Sequence, residues 1–168
     1  DYQGVIFDFV NRLQTGCIRH VFADDGSLWV GQTGRGWGSA GGKEYGLQRV
    51  SWDGETTPFS MHDVKLTKTG FRVTFTKQVE PSLAKEAKNY MVERWGYAYH
   101  PRYGSGKTNH KKDAPTKATV ANDGRSVHLE VPLEEERVYK IILNGYKAND
   151  GTDMVNNTAW YTLNKLIQ

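Results

Sequence analysis

Gly70-Phe71-Arg72-Val73-Thr74-Phe75-Thr76 is the stretch from which the fold is read. Successive side chains of an extended chain point to opposite sides, so Phe71, Val73 and Phe75 share one face while Arg72 and Thr74 share the other. That alternation predicts a strand with one face in a core and the other in water. Residues 61–66 before it, and residues 90–95, 116–120, 126–131, 138–143 and 158–163 after it, carry the same signal of apolar and β-branched residues. Asn122-Asp123-Gly124 marks a hairpin between two of these runs, because Asp-Gly readily takes the positive-φ conformations of a tight turn. One short helix is expected, over residues 81–87, with Ser82 as its cap. About seven short strands in succession is the arithmetic of an immunoglobulin-like sandwich, although the Cys…Trp…Cys signature is absent. Phe71, Val73, Phe75, Val92, Val120, Leu129, Val131, Ile141, Leu143 and Tyr161 are the expected core.

Towards the N-terminus, residues 4–10, 17–23, 27–31 and 46–52 also read as strands, and the four are expected to form one small antiparallel sheet. Residues 31–42 between them are too rich in glycine for regular structure and read as a loop. The expectation is therefore an all-β chain in two parts. Residues 57–168 form an Ig-like antiparallel β-sandwich, and residues 1–56 form a small β extension packed on it through Phe7, Phe9, Val21, Phe22 and Trp29. Burying each of those side chains is worth on the order of 1.5–3 kcal/mol.

With 168 residues the chain can bury a core without metal or disulfide staples. Cys17 is the single cysteine, which excludes an internal disulfide framework and a zinc site built on several thiolates. No run approaches about 20 apolar residues, so no membrane span and no membrane partner are expected. The start, Asp1-Tyr2-Gln3-Gly4, has neither an initiator Met nor a signal segment and reads as a processed piece, with other domains of a larger parent protein as expected partners. Residues 1–56 hold five of the 22 Lys/Arg and seven of the 19 Asp/Glu, a net of −2, which leaves +5 on residues 57–168. An acidic partner suits the second part.

Two resemblances follow from particular residues. Phe71-Arg72-Val73-Thr74-Phe75-Thr76-Lys77-Gln78-Val79-Glu80-Pro81, continued by Lys88-Asn89-Tyr90-Met91-Val92, resembles the opening of bacterial Ig-like domains, with Gln78 where those domains usually carry proline. The front end, from Ile18 to Gly31 and on through Gly34-Arg35-Gly36-Trp37-Gly38 to Gly46-Leu47-Gln48-Arg49, resembles the last blade of secreted sugar-dehydrogenase-like β-propellers of large bacterial proteins. The resemblances imply a bacterial exported origin: secreted, cell-surface or periplasmic. A propeller needs about four or more blades to close, so the catalysis of that family is implied to be missing here.

Several motifs lack their required context. Gly36-Trp37-Gly38-Ser39-Ala40-Gly41 has dinucleotide-fingerprint spacing, but a strand follows where the fingerprint needs a helix. Gly104-Ser105-Gly106-Lys107-Thr108 fails as a P-loop, because Pro101 stands where the first glycine is required. Asp24-Asp25-Gly26 and Asn149-Asp150-Gly151-Thr152-Asp153 cluster carboxylates around a turn, and Asp150 and Asp153 are the candidate ligands of a structural calcium. No other cofactor is expected. His20, His62, His100, His110 and His128 show no metal-ligand spacing, and no catalytic residue can be named.

Residues 93–112 carry the functional reading. Trp95, Tyr97 and Tyr99 alternate, with His100 and Tyr103 close behind, so an extended chain would show three rings on one side. Arg102, Lys107, Lys111 and Lys112, with Arg94, supply five positive charges against Glu93. Aromatic faces stack on sugar rings while Arg and Lys pair with sulfate or carboxylate. The expected function is a non-catalytic carbohydrate-binding module for an acidic polysaccharide, with Trp37 and Tyr45 of the front end completing the surface. Two alternatives are an Ig-like structural spacer, whose tyrosines pack inward and whose lysines face water, and an inactive fragment of a sugar oxidoreductase-like protein. Nucleic acid is disfavoured by the modest net charge of +3.

Overall fold

A computed structural model describes residues 2–34 and 41–168. In chain order the strands are β1 (Gly4–Phe7), β2 (Cys17–Phe22), β3 (Leu28–Thr33), β4 (Tyr45–Val50), β5 (Met61–Thr67), β6 (Gly70–Phe75), β7 (Tyr90–Tyr97), β8 (Lys107–Asp113), β9 (Lys117–Val120), β10 (Ser126–Glu130), β11 (Arg137–Leu143) and β12 (Thr158–Leu163), with one helical turn, α1 (Pro81–Ala84), after β6. They make a five-stranded sheet in the order β1-β12-β11-β7-β8, a four-stranded sheet β5-β6-β10-β9 and a three-stranded sheet β2-β3-β4.

The first two sheets form an all-β, antiparallel sandwich. The order β5-β6-β10-β9 facing β7-β11-β12 is that of the two immunoglobulin sheets, with β8 added beside β7. Strand β6 behaves as its alternation predicts: Phe71, Val73 and Phe75 are buried and Arg72 is exposed. Phe71 joins the sheets, its ring centroid lying 5.1 Å from that of Tyr139 and 5.2 Å from that of Tyr161. All the expected core residues are buried except Val120, which packs partly buried against the cluster. Gly70 is where β5 turns into β6, and a Cβ there would lie 1.8 Å from the Leu129 carbonyl oxygen, so only glycine lets β6 approach β10. The turn before β11 carries a tyrosine corner. Buried Tyr139 accepts a hydrogen bond from the Glu134 backbone N–H at 2.7 Å and donates to the Pro132 carbonyl at 3.2 Å.

Three expectations are corrected. Strand β1 does not join β2, β3 and β4; it pairs antiparallel with β12, Ile6 opposite Trp160, and Val5 and Phe7 pack against the sandwich core. The chain divides into one unit of residues 1–8 and 57–168 and a second of residues 9–56, so residues 1–8 belong with the sandwich. The strand's alternation was visible in sequence, but its partner lies more than a hundred residues away. The helical turn is capped by Glu80, not Ser82: the Glu80 carboxylate accepts from the Ser82 backbone N–H and hydroxyl.

The second unit is an antiparallel meander. Gln32 is buried and its amide donates to Gln48 Oε1 at 2.9 Å, while its own Oε1 accepts from the Thr15 N–H at 2.9 Å. Phe9, Val21 and Phe22, expected at a packing face, are exposed, and Trp29 carries the Arg49 guanidinium 5.9 Å from its ring centroid.

Candidate functional site

Residues 93–112 fold as a hairpin. Strand β7 runs to Tyr97, residues 98–106 turn, and β8 returns along the edge of the five-stranded sheet, Tyr97 opposite Lys107 and Glu93 opposite Lys112. Residues 107–113 carry no strand signal in the sequence, because a run of Lys, Asn and His lacks apolar alternation. An edge strand needs none: charged side chains, lysine above all, keep its free backbone groups from pairing with another chain. A bulge sits between Arg94 and Gly96, where Asn109 takes a positive φ of 51°.

The hairpin separates the expected ligand-binding residues. Tyr97, Tyr99 and Tyr103 are exposed, at 54%, 106% and 108%. Arg102, Lys107, Lys111 and Lys112 are also exposed. His100 is half-buried, and no hydrogen-bond partner is found for its buried Nδ1 among the described residues. Trp95 is not a platform: it is 3% exposed, the Lys107 ammonium stands 3.6 Å above its ring centroid, and His110 meets it edge-on at 5.8 Å. Its indole Nε1 is buried without a partner among the described residues. Trp37 lies outside the described residues, and Tyr45, which is exposed, belongs to the unit of residues 9–56.

Charge around the hairpin is partly paired. On the core-facing side Arg94, its side chain 7% exposed, bonds Asp113 at 2.6 Å and also Glu134. Lys111 lies 3.6 Å from the same Glu134. The hydrogen bond from Arg94 holds the Glu134 carboxyl below its ordinary value, against the upward push of burial. On the outer side Glu93 accepts from His110 at 3.0 Å and lies 4.0 Å from Lys112. Burial alone would push Glu93 up, but the His110 bond and the charges of Lys112 and Lys140 outweigh it and its pKa is lowered. Glu93 and His110 were not among the expected site residues. Their meeting depends on strand register, which one sequence does not display.

The two candidate calcium donors are each paired with a lysine. Asp150 accepts from the Thr152 N–H and hydroxyl and pairs with Lys77 at 3.0 Å, while Asp153 pairs with Lys147 at 2.5 Å. Each carboxylate already holds an ammonium. Asp25 is likewise taken up by Ser27 and Arg49. A cleft of about 330 Å³ beside Asp150 has its cations engaged, Lys77 with Asp150 and Arg125 with the Thr76 carbonyl. Among the described residues no three His, Cys, Asp or Glu side chains are grouped to hold a metal, and no helix is long and apolar enough to cross a membrane.

No family model matches the sequence, and no curated protein matches it. Among solved structures the chain is similar to surface layer protein SbsC, domains 1–6, at 24% identity and a TM-score of 0.48, over 66% of this chain and 14% of that one. It is similar to the crystal structure of the S-layer protein rSbsC(31-844) at 24% identity and 0.47, over 66% and 14%. A third likeness is to the N-terminal part of the bacterial S-layer protein SbsC, at 22% and 0.45, over 64% and 24%. The chain thus spans between 14% and 24% of the length of these structures.

Proposed function

We propose that this chain is a non-catalytic binding module for an acidic polysaccharide, sulfated or uronate-bearing, carried outside a bacterial cell as part of a larger protein. The observation that carries the reading is the β7–β8 hairpin, which leaves Tyr97, Tyr99 and Tyr103 in water and carries the exposed cations Arg102, Lys107, Lys111 and Lys112, Lys111 on the face opposite Lys107 and Lys112. Exposed rings offer stacking faces for sugars, and the cations select acidic ones. The bacterial exported location rests on the resemblances of Phe71–Pro81 and of the front end described above.

Calorimetric titration of folded variants tests the reading. Stacking on one exposed ring should be worth roughly 1–3 kcal/mol, by analogy with bases stacked on aromatic side chains. Tyr99→Ala and Tyr103→Ala are therefore each expected to weaken binding about tenfold. Lys111→Ala combined with Lys112→Ala should weaken acidic polysaccharides only, and most at low salt. Undiminished binding by the tyrosine variants would remove the hairpin from the site. A wild type that binds no polysaccharide would leave the structural-spacer reading, which the pairing of Lys111 and Lys112 with Glu134 and Glu93 favours.

A further inference from the structure

We infer that the ligand track extends from the hairpin across the outer face of the five-stranded sheet to a second subsite, Trp160 with Lys140, so that the module takes an extended acidic chain lying across the strands. This rests on the reading of the hairpin as a polysaccharide site and adds to it the path and length of the ligand.

Register puts one continuous row on that face. Ile6 stands opposite Trp160, Trp160 opposite Lys140, Lys140 opposite Glu93 and Glu93 opposite Lys112. The row faces outward, because its chain neighbours Tyr139, Ile141, Ala159, Tyr161 and Val92 fill the core. At about 4.8 Å between strands, Trp160 and Lys112 are about 14 Å apart, which is the reach of an extended oligomer and beyond that of a single sugar. The Lys140 ammonium lies 6.0 Å from the Trp160 ring centroid, so an apolar ring and a cation stand side by side, the pairing an acidic sugar requires.

The same face is continuous with the hairpin. Tyr97 lies four residues beyond Glu93 on β7, and its cross-strand partner Lys107 lies on β8, so both share this side of the sheet. Glu93 is the single carboxylate of the row and meets Lys112, Lys140 and His110, while the Lys107 ammonium stands over the Trp95 ring on the same face. The surplus is positive, which commits the surface to an anionic occupant. The neighbouring Ile6 is 75% exposed, so the row is open at the β1 edge.

A graded series of uronate oligosaccharides, titrated against the full chain and followed by the Trp160 indole N–H resonance, tests the inference. Lys140→Met keeps the apolar stem and removes the charge. Long oligomers should shift the Trp160 resonance, and Lys140→Met should weaken them about fivefold to tenfold while leaving the shortest binding oligomers unchanged. Tyr99→Ala should weaken short and long alike. If long oligomers bind through Tyr99 but leave Trp160 unshifted and are indifferent to Lys140→Met, the track is wrong and the hairpin site stands. If no oligomer of any length binds, both fall.

Discussion

Trp95 and Tyr99 are four residues apart and have opposite fates. The indole is covered by Lys107 and His110, whereas the phenol stands in water. Removing a buried tryptophan side chain costs about 3–5 kcal/mol, and removing an exposed ring costs little. Trp95→Ala is therefore expected to lower the urea midpoint sharply, and Tyr99→Ala to leave it within error. Equal midpoints would mean that Trp95 is not packed as described. Tyr139 supplies a second case. Tyr139→Phe keeps the ring against Phe71 but strips the Glu134 N–H of its acceptor, a loss of about 1–3 kcal/mol that equilibrium unfolding would register. An unchanged stability would show the corner to be ornamental to the sandwich.

At the scale of the element, the hairpin ties its carboxylates to its cations, and this fixes the response to acid. Glu134 and Glu93 both lie below the ordinary value of 4.5 in the folded chain, Glu134 through Arg94 and Glu93 through His110, Lys112 and Lys140. A depressed carboxylate contributes stability that is present above its unfolded value and is lost as pH falls through its folded value. The urea midpoint should therefore hold from about pH 7 to about pH 5 and fall below about pH 4, with Glu134→Gln shallowing the fall. A midpoint constant down to about pH 3 would contradict the pairing. Elements were unequally legible in sequence for a physical reason. Strand β6 could be read because one face is buried and alternation records burial. Strand β8 could not, because an exposed edge strand leaves no apolar trace, and its lysines looked like loop. Trp95 and Tyr97 lie on β7 and Tyr99 in the turn after it, but alternation does not say which outward ring a neighbouring lysine will cover. The row from Ile6 to Lys112 was out of reach altogether, since it is assembled from five strands by register.

On the scale of the whole molecule, residues 9–56 form a unit that lies in the sequence between β1 and β5. Strand β1 is held by its pairing with β12 and by Val5 and Phe7 against the core, contacts that do not involve the other unit. Replacing residues 9–56 by a short Gly/Ser linker should leave a sandwich that unfolds in one cooperative transition. A non-cooperative transition would show the sandwich to be incomplete alone. Recognition of acidic polysaccharide by this surface is proposed to need rings and cations together. Affinity electrophoresis of the wild-type chain through gels containing neutral, uronate-bearing or sulfated polysaccharide tests it most directly. Retardation by the acidic polymers, reduced by added salt and absent with the neutral ones, is the expected result; free migration in every gel would overturn the proposal.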